Sequence, residues 1–480
     1  MKRPIIPIAV MLLTLVGALA FAASSYEPGD ILIKFKAGTL NGTANTVDAT
    51  QMDDLGDNWV HVQVSTDQID SVFNEKSLFT QIRQNPNVEY VQPNYKLSLI
   101  EDYKQTDPKI LDRLKLLETP SYGWKPKPEI PAATITPEVG ADPLLPQQWG
   151  LNFIHADEAW QTERGNKKIV VAVIDTGVDY VHEDLAGNIW YNPGEIPGNG
   201  KDDDGNGFVD DVIGWDFVDN DNKPYDVHVG MLGTAFGGNP GHGTHCAGTI
   251  GALGDNSKGI SGIAPNISIM PVRFLNAKGQ GTTAQAVKAI NYAVHNGAKI
   301  LSNSWGSEGE DPKDDNQALK DAIKNAMDKN VLFIAAAGNG HKGVGYDNDT
   351  DSKPATPASY PIDNIISVAA VDKAGSLAPF SNWGKKTVHV GAPGVGIMST
   401  MAGNRYGDSV IKVGSFAIPW EGTSMAAPFV SGAAALVWAA HPEYKWSDVK
   451  LKLLSTVDKL PSLDGKTVSG GKINLAAAIK

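Results

Sequence analysis

Three side chains from distant parts of the sequence have the types that acyl transfer needs. Asp175 ends the apolar run 167–175, His242 opens the segment HGTHCAG, and Ser424 lies within GTSMAAP. A serine hydroxyl is a weak nucleophile until an imidazole takes its proton, and that imidazole needs a carboxylate to hold its tautomer. The three residues supply these roles, although Asp175 and Ser424 taken singly also suit helix caps.

A metal site is the alternative for the segment around His242. On a helix, His242, His245 and Cys246 share one face, because they lie three and four residues apart. Zinc, however, takes four ligands and needs a supporting second shell. Cys246 is the only cysteine of the chain, and the other histidines are scattered. We therefore expect no catalytic metal.

These polar residues must be positioned by elements that alternate from about Asp142 onward. Short apolar runs at 169–175, 299–305 and 330–338 alternate with helical stretches such as 283–296. Continuous apolar runs between helices are typical of buried parallel strands. The expected fold is an α/β domain with a doubly wound parallel sheet, in which catalytic groups gather at the carboxyl ends of the strands.

A smaller α+β unit is predicted before this domain. Alternating apolar residues predict strands at 30–36 and 59–64, and apolar residues at helical spacing predict a helix between residues 70 and 85. A further strand is predicted at 88–91, and Pro93 should end it. The chain therefore divides into a small N-terminal unit and a large C-terminal domain.

The first 22 residues are typical of an export signal. A basic start is followed by an apolar run from Ile5 to Ala20 and by an A-x-A pattern that ends at Ala22. A membrane anchor is the alternative, but the run is short for a full span. The net charge of −13 argues against nucleic acid and anionic membrane surfaces as partners. We expect a secreted protein, either extracellular or periplasmic.

Three longer segments carry a resemblance to a known family. VAVIDTGVD (171–179), HGTHCAGT (242–249) and GTSMAAP (422–428) resemble, in this order, the signature blocks of subtilisin-like serine proteases. GWDFVDND (214–221) is similar to the thermitase-like branch of that family. The resemblance implies a subtilisin-like catalytic domain at 142–480.

The resemblance also implies roles for individual residues. By it, Asp175 is the acid of a catalytic triad, His242 the base and Ser424 the nucleophile, while the second histidine and the cysteine of the HGTHCAGT block are structural. It further implies that Asn339, in NVLFIAAAGNG, donates to the oxyanion together with the Ser424 amide. A plain Asn-Gly turn is the alternative for that dipeptide.

The segment SNSWG is similar to the family segment that holds an extended peptide. Its residues are Ser302, Asn303, Ser304, Trp305 and Gly306. A peptide held in this way adds a strand and is bound largely through its backbone. The aligned pocket floor around Ala355 is small and uncharged, which favours a bulky apolar side chain before the cleaved bond.

The segment KDDDGNGFVDD (201–211) spaces its oxygen atoms as a calcium loop does. Asp202, Asp204 and Asn206 alternate, a glycine follows, and Asp210 comes shortly after. The distal glutamate of an EF-hand is missing, so a calcium loop of another type is predicted. A solvated acidic turn is the alternative.

The resemblance implies two more structural calcium sites. In the first, the ligands are the carboxylates of Asp216, Asp219 and Asp221. In the second, they are the carbonyls of Leu253, Lys258 and Ile260, the Asn256 side chain, and the carboxylates of Asp142 and Asp184. Calcium would offset the repulsion among these carboxylates and stabilise the folded state by mass action.

Residues 23–99 resemble a subtilase propeptide. The resemblance implies a small ferredoxin-like unit that assists folding and inhibits the enzyme intramolecularly, by blocking its cleft until self-cleavage. The proline-rich linker at 100–141 should contain the cut. A permanent binding module is the alternative for this unit.

The sequence thus predicts a secreted serine endopeptidase that is made as a self-processing zymogen. We expect a monomer that acts on polypeptides and binds calcium. Three alternatives stay open: a calcium-binding pseudoprotease that only grips peptides or surfaces, an esterase with the same triad, and a membrane-tethered form that keeps its first 22 residues.

Overall fold

The computed structural model of the chain describes residues 25–39, 49–64, 72–99, 127–130, 140–229, 234, 238–307, 316–341, 343–413 and 416–480. The predicted signal at 1–22 and most of the predicted linker at 100–141 lie outside these residues. Both the N-terminal unit and the large domain are described apart from these gaps.

Strands and helices alternate through the large domain, whereas strands dominate the N-terminal unit. The described strands are β1 Tyr26–Phe35, β2 Ala49–Gly56, β3 Trp59–Val64, β4 Val88–Leu99, β5 Val170–Asp175, β6 Trp215–Asp216, β7 Ser268–Arg273, β8 Gln280–Thr282, β9 Ile300–Asn303, β10 Trp305–Gly306, β11 Leu332–Ala336, β12 Ile365–Val371, β13 Val390–Pro393, β14 Ser399–Met401, β15 Arg405–Gly407, β16 Ser409–Val413, β17 Phe416–Pro419, β18 Asp458–Lys459 and β19 Gly471–Lys472. The described α-helices are α1 Val72–Arg83, α2 Trp149–Phe153, α3 Ala156–Ala159, α4 His242–Gly251, α5 Thr283–His295, α6 Gln317–Asp328, α7 Thr423–Ala440, α8 Trp446–Ser455 and α9 Leu475–Ala478.

Nine strands form the main sheet of the large domain, in the order β18-β19-β13-β12-β11-β9-β5-β7-β6. Neighbouring strands are parallel except for β18 and β19, which are antiparallel. β5, β7, β11 and β12 are buried along their whole length. Their continuous apolar runs therefore arise because both faces of the sheet are covered.

Helices cover both faces of this sheet. Val171 and Val173 of β5 belong to the apolar core that includes α4 and α7, whereas Ala172 and Ile174 belong to the core that includes α5 and α6. Successive residues of a strand point to opposite faces, so β5 contributes to both cores. The large domain has the α/β architecture that the alternating pattern predicts, with the sheet as the middle of three layers.

α7 is the central helix of one layer. Among the described residues, it alone is long and apolar enough to span a membrane by composition, but 89% of it is buried inside the domain. It packs against β9, β11, β12 and β13. A helix that is apolar on every side is expected in the core of a large domain, which accounts for its composition.

The N-terminal unit is an antiparallel sheet in the order β4-β1-β3-β2, covered by α1. Leu78, Phe79 and Ile82 of α1 pack on the apolar side of the sheet. The helix and three of the strands lie where the pattern predicts them, and β2 was not predicted. The ferredoxin-like assignment stays a prediction, because residues 40–48 and 65–71 lie outside the described part of the unit.

β4 is longer than its local sequence predicts. The pattern predicts a strand at 88–91 that Pro93 ends, but β4 continues through Pro93 to Leu99. Proline lacks an N–H group, yet its fixed φ suits an extended chain where no ladder donor is needed. Beyond Pro93, β4 pairs antiparallel with both β8 and β10. The prediction was wrong because these partners lie far away along the chain.

Candidate active site

The carboxyl end of β5 and the start of α4 bring a carboxylate and an imidazole together. His242 Nδ1 lies 2.8 Å from Asp175 Oδ1, which also accepts the backbone N–H of Thr176 at 2.7 Å. The two side chains are almost fully buried, with 0% and 1% of their surface exposed. With Nδ1 facing a carboxylate, that nitrogen carries the proton and Nε2 is the basic one. This is the orientation that a general base requires.

The first turn of α4 is held by a neighbouring side chain. Asn239 Oδ1 accepts the N–H groups of Gly241 and His242 at 2.9 and 3.0 Å, which satisfies donors that the start of a helix leaves unbonded. Gly243 allows α4 to approach the loop after β5, because a Cβ atom there would lie 2.1 Å from Gly177 O. The imidazole is therefore fixed close to the end of β5.

Asp226 links the loop after β5 to the start of α4, and no sequence pattern indicated this residue. Its Oδ1 accepts Thr176 Oγ1 at 2.9 Å and Asn239 Nδ2 at 2.7 Å, while its Oδ2 accepts the N–H and the hydroxyl of Thr244 at 2.9 and 2.7 Å. Burial raises the pKa of Asp226 even against these hydrogen bonds. Thr176 directly follows Asp175, and Thr244 lies in the first turn of α4, which begins at His242. Asp226 is therefore a positioning residue for Asp175 and His242.

Ser424 is the second residue of α7. Gly422 is the N-cap of this helix, so the helix-cap interpretation of the serine is wrong. Ser424 Oγ donates to Ser304 O at 3.1 Å, and Ser304 Oγ donates to Ser424 O at 2.9 Å. This reciprocal contact fixes the start of α7 against the segment between β9 and β10.

Cys246 contacts both the imidazole of His242 and the backbone of Ser424. Its Sγ is 3.9 Å from His242 Nδ1 and 3.6 Å from Ser424 O. His242 and Ser424 therefore flank the same buried side chain. Burial raises the pKa of the Cys246 thiol, which keeps it protonated and unreactive.

His245 points away from this group. Its Nε2 donates to Ile397 O at 2.9 Å, and its ring stacks on Trp420 with the centroids 4.2 Å apart. Burial lowers the pKa of His245 to about 3, so the ring is neutral at physiological pH. The zinc set that needs both histidines is not assembled.

Asn339 presents one end of its amide to α7. Its Oδ1 accepts the N–H and the hydroxyl of Thr423, both at 2.9 Å, so the Nδ2 donor end faces the other way. Gly422 keeps the adjacent space open: its φ is +150°, and a Cβ atom there would lie 3.0 Å from Asn339 Nδ2 and 3.6 Å from Ser424 N. Two N–H donors thus flank a small volume next to the serine.

Two strand edges form the walls of a cleft beside Ser304 and Ser424. β10 pairs with one side of β4 and β8 pairs with the other, both antiparallel. Leu99, at the end of β4, donates its N–H to Gly279 O at 2.9 Å. A segment of the chain itself therefore occupies the cleft as an added strand.

The predicted peptide-binding segment 302–306 is divided between the sheet interior and this cleft. Ser302 Oγ accepts a hydrogen bond from Ser431 Oγ at 2.9 Å, and Asn303 Nδ2 donates to two carbonyls of the main sheet. Only the last three residues of the segment reach the cleft. The opposite wall, β8, was not predicted, because its sequence QGT contains no residue type that marks peptide binding.

Asp142 and Asp184 come together at the loop that the resemblance assigns to calcium. Asp142 accepts the N–H groups of Asp255 and Asn256 at 2.9 Å, and Asp184 accepts Asn256 Nδ2 at 2.7 Å and the N–H of Ile260 at 2.9 Å. Burial raises the pKa of both carboxyl groups. The same loop contains the predicted backbone ligands Leu253, Lys258 and Ile260. Two buried carboxylates that meet at one loop fit a bound cation.

The acidic loop at 201–211 gathers two of its predicted ligands around a third residue. Asp202 and Asp204 each have an oxygen within 4.8 Å of the other and of Glu195. Glu195 Oε1 accepts two backbone N–H groups, whereas its buried Oε2 has no hydrogen-bond partner among the described residues. Asn206 donates to Asp204 at 3.1 Å. Glu195 precedes the motif and falls outside its spacing, so the sequence did not reveal it.

Asp210 does not join this group. Its two oxygens accept the N–H groups of Asn199 and Gly200 at 3.1 and 2.8 Å. The structure thus brings Glu195, and not the predicted ligand Asp210, together with Asp202 and Asp204. The reason is that the loop turns back on itself, so sequence spacing does not measure distance in space.

The predicted calcium site formed by Asp216, Asp219 and Asp221 faces two cationic side chains. Lys127 Nζ lies 2.6, 3.0 and 2.9 Å from carboxylate oxygens of Asp216, Asp219 and Asp221. Arg273 Nη1 lies 2.6 Å from Asp216 and 2.8 Å from Asp219. The three carboxylates converge on one position, and the Lys127 ammonium lies in it.

Sequence comparisons relate most of the chain to known proteases. The chain is 35% identical to thermophilic serine proteinase from Bacillus sp. (strain AK1) over 332 residues, which is 69% of this chain and 67% of that protein. It is 34% identical to thermitase from Thermoactinomyces vulgaris over 334 residues, which is 70% of this chain and 96% of that protein.

A solved structure and a family model agree with these relatives. The crystal structure of fervidolysin from Fervidobacterium pennivorans, described as a keratinolytic enzyme related to subtilisin, matches with a TM-score of 0.66 and 26% identity. The match covers 95% of this chain and 61% of that one. Residues 166–471 match the model of the Subtilase family. The chain belongs to the subtilases, the family of subtilisin-like serine proteases.

Proposed function

We propose that the protein is a secreted serine endopeptidase that uses Asp175, His242 and Ser424 as a catalytic triad. The observation that carries this proposal is the 2.8 Å contact between His242 Nδ1 and Asp175 Oδ1. The Cys246 thiol, which contacts both His242 Nδ1 and Ser424 O, supports a position of Ser424 close to this pair. Membership of the subtilase family supports peptide-bond hydrolysis as the reaction.

In this mechanism His242 Nε2 takes the proton of Ser424 Oγ, and the oxygen attacks the carbonyl carbon of a peptide. Asp175 keeps the other ring nitrogen protonated and stabilises the imidazolium. The imidazolium then gives its proton to the leaving amine, which leaves the acyl group on Ser424 as an ester. A water molecule, deprotonated by the same imidazole, attacks the ester and releases the acid.

The oxyanion that forms in each step requires donors that are already in place. Asn339 Nδ2 and the Ser424 N–H flank the volume that Gly422 leaves open, and the bond from Asn339 Oδ1 to Thr423 prevents the amide from turning. Donors held in advance stabilise the transition state without reorganising when charge develops. Asn339 therefore acts as the oxyanion-hole asparagine.

A polypeptide substrate binds as an added strand between β8 and β10. The support for this is the chain's own β4, which makes that pairing. Residues 23–99 accordingly act as a propeptide whose last strand blocks the cleft. Self-cleavage in the linker at 100–141 then opens the cleft of the catalytic domain at 142–480, so the protein is made as a zymogen.

Structural calcium is the cofactor of this enzyme. Asp142, Asp184 and Asn256 would hold one ion with the carbonyls of their loop. Glu195, Asp202 and Asp204 would hold another. That site is supported by the buried Glu195 Oε2, which has no hydrogen-bond partner within the part of the chain that the structure describes. Calcium supplies positive charge between carboxylates that otherwise repel, and it stiffens loops near the cleft.

The place of action follows from the first 22 residues, which act as a cleaved export signal. The mature enzyme then works outside the cell or in a periplasm, as a monomer. Edman sequencing of the exported protein tests this step, and an N-terminus at Met1 or Lys2 would favour the membrane-tethered form.

Covalent labelling tests the catalytic proposal. A fluorophosphonate probe should label the processed protein on Ser424, and Ser424→Ala and His242→Ala should both abolish labelling. Ser431→Ala is the matched control and should still label, because Ser431 is a buried serine of the same helix whose hydroxyl donates to Ser302 Oγ and Ala427 O. Absent labelling of the wild type would favour the pseudoprotease. Hydrolysis of a small ester but not of casein would favour the esterase.

A further inference from the structure

Four residues of the linker, 127–130, are docked on the large domain. Tyr180 Oη donates to Pro128 O at 2.6 Å, and Lys223 Nζ donates to Glu129 Oε1 at 2.7 Å. Ile130 packs against the core of the domain. These contacts hold the segment next to the carboxylates of Asp216, Asp219 and Asp221, which we call the Asp216 cage.

Lys127 fills this cage. Its side chain is 8% exposed, and its ammonium lies within 3.0 Å of all three carboxylates. Asp216 is fully buried, whereas Asp219 and Asp221 close the cage from the solvent side. The Lys127 ammonium therefore forms ion pairs with all three carboxylates.

Removal of Lys127 increases the excess of negative charge in the cage. With the lysine present, three carboxylates face two positive charges, from Lys127 and Arg273. Without it, the three carboxylates face only the positive charge of Arg273. Carboxylates held close together repel one another unless cations balance their charge. Several carboxylate oxygens that converge on one position suit a hard cation such as calcium.

We propose that the Asp216 cage is a single cation position, which Lys127 holds in the precursor and a calcium ion takes once the linker has left. The proposal rests on the structural calcium of the proposed function and adds that docking of residues 127–130 and calcium binding exclude each other. Since two ligands of one site weaken each other equally, calcium also favours release of this segment. Removal of the linker is thereby coupled to the gain of a stabilising ion.

Calcium titration of the intact precursor tests the exclusion. The Ser424→Ala precursor cannot process itself, so it keeps Lys127 in the cage. We expect that adding Lys127→Ala makes this precursor bind a single further calcium ion per chain, measured by isothermal titration calorimetry. A third substitution, Asp221→Asn, should remove that gain. The matched control is Lys223→Ala in place of Lys127→Ala, which breaks only the Glu129 contact and should produce no gain.

Two results would overturn the proposal: equal calcium stoichiometry with and without Lys127, or a gain that persists after Asp221→Asn. The processed wild-type protein, inhibited with a fluorophosphonate, separates these results from failure of the calcium assignment itself. If Asp221→Asn lowers the calcium content of the processed protein, calcium does bind the cage and only the exclusion by Lys127 is wrong. If that content is unchanged, the calcium assignment of the cage falls as well.

Discussion

At the residue scale, the Asn339 amide holds α7 through Oδ1, and in the proposed mechanism its Nδ2 donates to the oxyanion. Oδ1 holds Thr423 at the start of α7, and Nδ2 faces the volume beside Gly422. A substitution at Asn339 therefore removes two contributions at once. A substitution at Thr423 removes part of the structural contribution alone, so the two effects can be separated.

Asn339→Ala should lower kcat by about 100- to 1000-fold with little change in KM, because a donor to the oxyanion acts mainly in the transition state. Steady-state kinetics on a peptide p-nitroanilide measure this. Thr423→Val is the control: it removes the hydroxyl bond to Oδ1 but keeps Nδ2, and its loss should be much smaller. Equal losses in the two variants would mean that Asn339 acts only by holding α7.

His245 should make the folded state sensitive to acid. Burial holds its pKa at about 3, against about 6.5 in the unfolded chain, so between these values the unfolded state binds the extra proton. Its stabilising contribution is complete above pH 6.5 and is lost as the pH falls towards 3. The expected slope is about 1.4 kcal/mol per pH unit.

His245→Gln should remove that slope, because glutamine can still donate to Ile397 O but does not titrate. Urea unfolding of the Ser424→Ala precursor, with and without His245→Gln, between pH 7 and pH 4 measures the difference. An unchanged pH dependence would show that His245 is accessible to protons in the folded state.

At the scale of elements, the loop around residues 192–211 shows how backbone turns select ligands. Asp210 uses both oxygens on the turn at Asn199 and Gly200, whereas Glu195 keeps one buried oxygen beside Asp202 and Asp204. The loop therefore offers a cation a carboxylate from outside its acidic motif.

Glu195→Gln should reduce the rise in Tm that calcium causes, because it weakens one calcium site. When the calcium concentration is about 100 times the Kd of a site, binding there adds about 2.7 kcal/mol to the free energy of unfolding. Thermal unfolding of the Ser424→Ala precursor, with calcium and with a chelator, measures this rise. Asp210→Asn is the matched control and should lower Tm equally in both conditions. The opposite pattern, a smaller rise for Asp210→Asn only, would restore the ligand set predicted from spacing.

At the scale of the whole molecule, the N-terminal unit is fastened to the large domain at several points. Lys34 Nζ and Trp59 Nε1 both donate to Asp321 of α6, at 2.7 and 3.2 Å, and Gln92 Nε2 donates to Asn316 Oδ1 at 3.0 Å. β4 then enters the cleft. These contacts hold the N-terminal unit on the large domain, with β4 in the cleft.

Leu99→Asp should shorten the lag before the precursor activates, because it places a carboxylate where a side chain that is only 4% exposed now packs. The time course of peptide hydrolysis, normalised to the amount of processed protein, measures the lag. The final activity should not change, since Leu99 lies before the linker and is removed with the propeptide.

Lys96→Ala is the control for this substitution. Lys96 lies on the same strand, but its side chain is partly exposed and pairs with Glu27 of the N-terminal unit. Its loss should leave the lag nearly unchanged. A lag that Leu99→Asp does not alter would argue that β4 does not limit access to the cleft.

Local sequence pattern was enough to predict the α/β domain, and the family resemblance carried by short motifs selected Asp175, His242, Ser424 and Asn339. A strand buried on both faces must be a continuous apolar run, so β5 and β11 are visible in the sequence. The polar residue that ends such a run, or lies close after it, stands out for the same reason. The chemistry of these side chains is intrinsic to each of them, and their motifs are short and contiguous.

Only the tertiary structure showed the extension of β4, the position of β8 as a wall of the cleft, and the contacts of Asp226, Glu195 and Lys127. Each of these depends on a partner far away along the chain: a strand edge, a helix start or a group of carboxylates. A buried polar group needs a hydrogen-bond or charge partner, but any nearby group of the right type can supply it. Which one does so depends on how the chain packs, and residue spacing does not contain that information.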